Sequence, residues 1–216
     1  MYIAHIRTAN ADADDIPYSV TAHLGITNQR HIYNGVAILI ACVYVEIDNT
    51  PAFVQALLQG SNNTWQRLMN EQRATEPALL CELLSVLAVN QAVCEPLGQA
   101  YDPQFLRLFP DCLAVYRTLG TSGFNTSLRT GSGLAEPSVY IVAVQRAILL
   151  LARTYMAAVR RDDYTPMRDH TITPLLQTVV PLYCDGALDE HVLLLLVHVS
   201  TILKVCYDDT GGKLEN

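Results

Sequence analysis

Ionic groups are what this 216-residue chain has least of. Only 16% of its residues are charged, where roughly 25% is usual in globular proteins. Lysine is nearly absent: twelve of the basic residues are arginine, and only Lys204 and Lys213 are lysine. The net charge of −7 excludes a broad basic surface of the kind that grips duplex DNA or an anionic bilayer. Asn, Gln, Ser and Thr stand where the charges are missing. So sparse an ionic surface gives little electrostatic protection against self-association, and it suits a chain that a partner partly covers. A large, well-packed helical core is the plainer explanation. Arginine in place of lysine fits cations that are partly desolvated at interfaces or around phosphates, although GC-rich codon usage produces the same bias.

Paired cysteines are lacking too. Cys42, Cys81, Cys94, Cys112, Cys184 and Cys206 are scattered with no CxxC, which excludes a zinc ribbon or a thioredoxin-type motif and points to free thiols in a reducing compartment. The N-terminus reads Met-Tyr-Ile-Ala-His-Ile-Arg and then turns acidic, which is not the pattern of a signal peptide. The longest apolar runs, Val36–Val45 and Val192–Val197, are too short to span a bilayer. These features predict a soluble, intracellular (cytoplasmic) protein without a membrane partner.

What is present is helix-forming pattern. Residues 1–33 read as an N-terminal arm with one or two short strands, among them Tyr2–Ile6. From Asn34 to Tyr207 helix signals dominate, and 208–216 is a polar tail. Thr50-Pro51 opens a helix that Gly60 is expected to stop, and Ser61–Arg73 forms a separate amphipathic segment. Thr75-Glu76-Pro77 opens another, with Leu79, Leu80, Leu83, Leu84 and Leu87 on its apolar face and Pro96 and Gly98 as its close. Asp102-Pro103 starts the next, with a break expected at Pro110. Residues 120–135 are rich in Gly, Ser and Thr and read as a mobile loop. The strongest helix follows over Ser138–Arg161, with Ile141, Val144, Ile148, Leu151, Tyr155 and Val159 inward. A polar connection at 162–171, a helix from Thr173 to Cys184 interrupted by Pro181, and a last helix from about Leu188 to Tyr207 complete the chain. That last helix is apolar almost all round, so it is central or lies at an interface. The fold expected is mostly α: one domain, a bundle of about seven to eight helices with an extended N-terminal arm.

Catalytic and metal motifs are absent. His191 and His198 share a helix face but stand about 10.5 Å apart at 1.5 Å per residue, too far for one zinc ion. There is no HExxH and no GxSxG elbow. The cysteines lack the His or Arg neighbours that activate a thiol. Gly131–Glu136 precedes a helix, but no strand leads into it and Glu136 would repel a phosphate. No enzyme activity, cofactor or metal is expected. One constellation remains. Arg146, Arg153 and Arg160 recur every seven residues, Arg161 extends the stripe and Arg129 sits in the loop before it. Such a row can follow the phosphates of a single strand. A solvated helix face explains it equally simply, and aromatic stacking partners are few.

Acidic, helical and Arg-over-Lys, the composition resembles that of rod-shaped virus coat proteins in general. The functional expectation is a structural, self-assembling subunit, a viral coat, capsid-associated or nucleocapsid-type protein. Its partners would be copies of itself, other assembly proteins and, through the Arg stripe, single-stranded RNA. The alternative is an intracellular helical adaptor or regulator that receives a partner helix in an apolar groove between Leu79–Leu87 and Val192–Leu203. A third reading, an enzyme whose site is gathered from distant residues, is one that no motif scan addresses.

Overall fold

The computed structural model describes residues 24–44, 50–71, 76–121, 136–159, 165–184 and 189–209. Among them the chain is almost entirely helical and carries no strand. The helices are α1 (Ile26–Tyr44), α2 (Thr50–Asn70), α3 (Pro77–Leu97), α4 (Asp102–Thr121), α5 (Glu136–Ala158), α6 (Thr173–Cys184) and α7 (Glu190–Asp209). A 3-10 turn, Gly98–Tyr101, joins α3 to α4 without a non-helical residue between them, and helical turns from Thr165 lead straight into α6. The described residues therefore form six uninterrupted helical stretches, fewer than the seven to eight expected.

The difference has local causes. Gly60 does not stop a helix: α2 runs through it, because Val54, Leu57, Leu58, Ser61, Trp65 and Leu68 keep one buried face on both sides of it. A mid-helix glycine costs about 1 kcal/mol, less than that shared burial returns. Pro96, Pro110 and Pro181 likewise lie inside helices. The true joint is Gly98, whose φ of 54° belongs to glycine and whose N–H returns to the Cys94 carbonyl. The stretch expected as a polar connection is helical from Thr165 and includes a π turn, Arg168–Ile172. Pro174 explains it: the ring has no N–H to give to the carbonyl four residues back, so the ladder just before it widens and the Thr173 N–H reaches Arg168. Residues 26–33, read as part of the arm, already belong to α1. The expected strand at Tyr2–Ile6, the polar tail from residue 210 and all but the first two residues of the Gly/Ser/Thr loop lie outside the described residues.

Helix α3 is the centre. It packs most extensively on α5 and next on α1, with α2 alongside; α4 and α7 also lie on α5, and α6 covers α4. The six inward positions expected on the strongest helix, Ile141 to Val159, are all buried. Leu80, Leu83 and Leu87 of α3 are buried, with Leu79 and Leu84 packed on the same core. Phe105 and Tyr155 stack with ring centroids 3.6 Å apart, and the Tyr155 hydroxyl donates to Asp102 at 3.0 Å. Trp65 is buried and donates its indole N–H to Asp111. Gly120 lies so close to Leu182 that an added Cβ would stand 2.9 Å from that side chain, so α4 and α6 approach closely there.

Burial of the cysteines is less uniform than their surroundings in sequence suggest. Cys94 and Cys112 are buried, Cys81 is half-buried, and Cys42 and Cys184 are exposed. All five are free. Burial pushes the Cys94 and Cys112 thiols well above their ordinary value, which makes them inert. Two helical stretches, Pro77–Thr121 and Val139–Ala158, are long and apolar enough to cross a membrane by length and composition alone. About half of each is buried inside this bundle, as in any core helix.

Candidate functional site

Helix α7 begins at a well-defined cap. Asp189 accepts the backbone N–H of His191 at 2.8 Å, and its other oxygen takes the Arg146 guanidinium of α5, also at 2.8 Å. Burial works to raise the Asp189 carboxyl, but the Arg146 and His191 hydrogen bonds outweigh it and hold the group below its ordinary value. Arg146 is therefore the fastening of α7 to α5.

Beyond the cap α7 is apolar on two opposite faces. Val192, Leu195 and Val199 are buried against the bundle. Leu193, Leu194 and Val197 point outward and are 49%, 49% and 65% exposed. The polar residues that continue this outer face turn their O–H donors onto the helix: Ser200 donates to the Leu196 carbonyl at 2.8 Å and Thr201 to that of Val197 at 2.9 Å. A hydroxyl closed onto its own helix leaves an outer surface that loses little when dried. Helix α1 carries a second such stripe, Ile32, Val36 and Leu39, all exposed. Scattered exposed hydrophobics are ordinary; rows of them on the first and last described helices are not.

Between α1 and α7 runs a polar groove. One cavity of about 380 Å³ is bounded by Thr27, Arg30, His31 and Asn34 of α1, with Gln91 and Glu95 of α3 facing them. A second of about 270 Å³ shares Glu95 and Thr154 with the first and adds Arg153 and His198. Neither arginine forms an ion pair among the described residues. The His198 Nε2 is buried without a hydrogen-bond partner among the described residues. Burial first, and then the Arg153 charge, hold its imidazole below the ordinary value, so it is neutral near pH 7. The groove offers N–H donors to an anion, while the exposed carboxylate of Glu95, which lines both cavities, opposes one.

The five arginines singled out in the sequence therefore separate. Arg146 is engaged with Asp189, Arg153 lines the groove, and Arg129, Arg160 and Arg161 lie outside the described residues. Sequence reasoning missed Arg30 and His31, because residues 26–33 were read as arm rather than helix. The apolar groove expected between Leu79–Leu87 and Val192–Leu203 is not where the exposed apolar surface lies. The leucines of α3 face the core, and α7 packs chiefly on α5. No group of three or more His, Cys, Asp or Glu among the described residues is placed to hold a metal ion. Searched against models of protein families, the chain matches none.

Proposed function

We propose that the protein is a structural subunit that assembles with copies of itself, of the coat or capsid type, and that the outward face of α7 is a principal contact between subunits. The observation that carries this is the two-sided apolar character of α7: one face is spent on its own bundle, and the opposite face holds three large hydrophobics in the open. Two further features support it, the sparse charge of the whole chain and the hydroxyls of Ser200 and Thr201 closed onto the helix. Single-stranded RNA enters this reading through the groove, where Arg153 and Arg30 form no ion pair among the described residues although Glu95 lines the same cavities.

The test is particle size. Light scattering and negative-stain electron microscopy of the purified chain should show large, regular oligomers. Val197→Asp combined with Leu193→Asp should leave a folded, smaller species, because a charge on a dried face must be desolvated without a partner. A wild-type chain that stays monomeric at high concentration would end the proposal. If RNA is carried, absorbance of the particles shows it, and Arg153→Ala lowers its amount and its dependence on salt.

A further inference from the structure

A third cavity, of about 300 Å³, lies between α2 and the start of α4. Pro51, Val54, Ala100 and Pro103 give it an apolar lining, and Gln55, Asn62, Gln104 and Arg107 a polar one. Behind them is a chain of buried amides that fixes its own orientation. Asn90, fully buried, donates from Nδ2 to the Val86 carbonyl at 2.9 Å, a group that only accepts. Its Oδ1 must then be the acceptor, and it takes the Tyr101 hydroxyl at 2.8 Å and Gln104 Nε2 at 2.9 Å. Gln104, 7% exposed, gives its other N–H to Asn62 Oδ1 at 2.7 Å. Its Oε1 accepts Asn62 Nδ2 at 3.3 Å and Arg107 Nη2 at 3.0 Å. An arginine only donates, so both ends of the chain demand the same polarity. Every donor and acceptor of Gln104 is used.

Arg107 and Asn62, which both line the cavity, keep unused donors. Arg107 spends one N–H of its five on Gln104 and makes no ion pair among the described residues. Asn62 Nδ2 keeps a second N–H. Both nitrogens hang on the same oxygen, Gln104 Oε1, which brings them close enough for the two oxygens of one carboxylate. Gln104 Oε1, the acceptor between them, is fully occupied, and Gln55 completes the polar lining. A site with spare donors, a cation, an apolar lining and small volume selects an anionic head on a short apolar body. We infer that the cavity beside Asn62, Gln104 and Arg107 binds a small monocarboxylate with a compact aliphatic or aromatic body, its carboxylate on Arg107 and Asn62 and its body against Pro51, Val54, Ala100 and Pro103.

The experiment is equilibrium dialysis of the full chain against radiolabelled benzoate and, separately, benzamide, at millimolar ligand. The two differ by the charge of the head and hardly in shape. Benzoate should bind with about tenfold or greater preference over benzamide, the discrimination expected of a charge-assisted hydrogen bond. Arg107→Gln, a change at an exposed position, should erase that preference while circular dichroism and melting temperature stay as in the wild type. Equal uptake of the two ligands, no uptake of benzoate, or a preference that survives Arg107→Gln would each overturn the assignment. Were the variant to misfold, the wild-type comparison of acid with amide decides alone.

Discussion

Asn90 shows how much a single amide can hold in an interior this apolar. It sits among leucines and valines with no exposure and satisfies Ser61, Val86, Tyr101 and Gln104 at once. Buried polar networks are stable only when complete. Asn90→Ala should therefore destabilise the fold by about 2–4 kcal/mol, more than one hydrogen bond, because it strands the Tyr101 hydroxyl and a Gln104 N–H without water. Chemical denaturation measures it; a loss below about 1 kcal/mol would mean that the network repairs itself. His198 makes the opposite kind of prediction. Its protonation is held below the ordinary value in the folded chain, so the unfolded chain takes up the proton first. Stability should then fall as pH drops through the ordinary imidazole value, since the unfolded state binds more protons there. Charged groups facing it are Arg153 from α5 and Glu95 from α3. His198→Gln should flatten the pH profile of the melting temperature in that window; a profile of unchanged slope assigns the dependence elsewhere.

Helix α7 depends on its first turn. Its cap and its tie to α5 converge on one carboxylate, Asp189, which serves the His191 N–H and the Arg146 guanidinium together. Asp189→Ala removes a cap and an ion pair and should cost about 1–2 kcal/mol. Arg146→Ala, at a half-exposed position, should cost less, about 0.5–1 kcal/mol. Hydrogen exchange in α7 is the discriminating measurement: both variants should raise it in the first turns and leave α3 protected. Equal rates in α7 for wild type and Asp189→Ala would show that packing on α5 alone holds the helix. The Asp189 contribution is present at neutral pH and lost as the pH falls below the ordinary carboxylate value, because the folded-state carboxyl is the harder of the two to protonate.

At the scale of the bundle, a continuous core contrasts with apolar rows left exposed among the described residues. Among the described residues one cluster of buried hydrophobics runs from Tyr33 of α1 to Val199 of α7. The exposed rows on α1 and α7 are additional. For an assembly subunit that is the expected arrangement: a folded monomer that gains by covering Leu193, Leu194 and Val197. Single substitution Val197→Asp should weaken association by about tenfold or more and leave the monomer's melting temperature within a few degrees of wild type, as Val197 is 65% exposed. Sedimentation velocity reads the first and calorimetry the second; a fall in melting temperature without a change in size would place Val197 in the fold rather than the interface.

Helical class, the inward faces of α3 and α5 and the two-sided apolar nature of the last helix were legible in the sequence, since a repeat near 3.6 residues survives any tertiary arrangement. The close at Gly98 was legible too, but the continuation of helix through Gly60, Pro110 and Pro181 was not: a breaker acts locally, and burial on both sides of it overrides a cost of only a few kcal/mol. The candidate sites were the least legible. Arg146 and Arg153 look equivalent at a spacing of seven, yet one meets Asp189 and the other a groove, because what an arginine does is set by the element packed opposite. The amide chain from Asn90 to Arg107 joins three helices that carry no motif, and only their packing brings it together. Periodicity determined which faces are greasy; tertiary structure decided which of them stay wet, since exposure depends on what neighbouring helices leave uncovered.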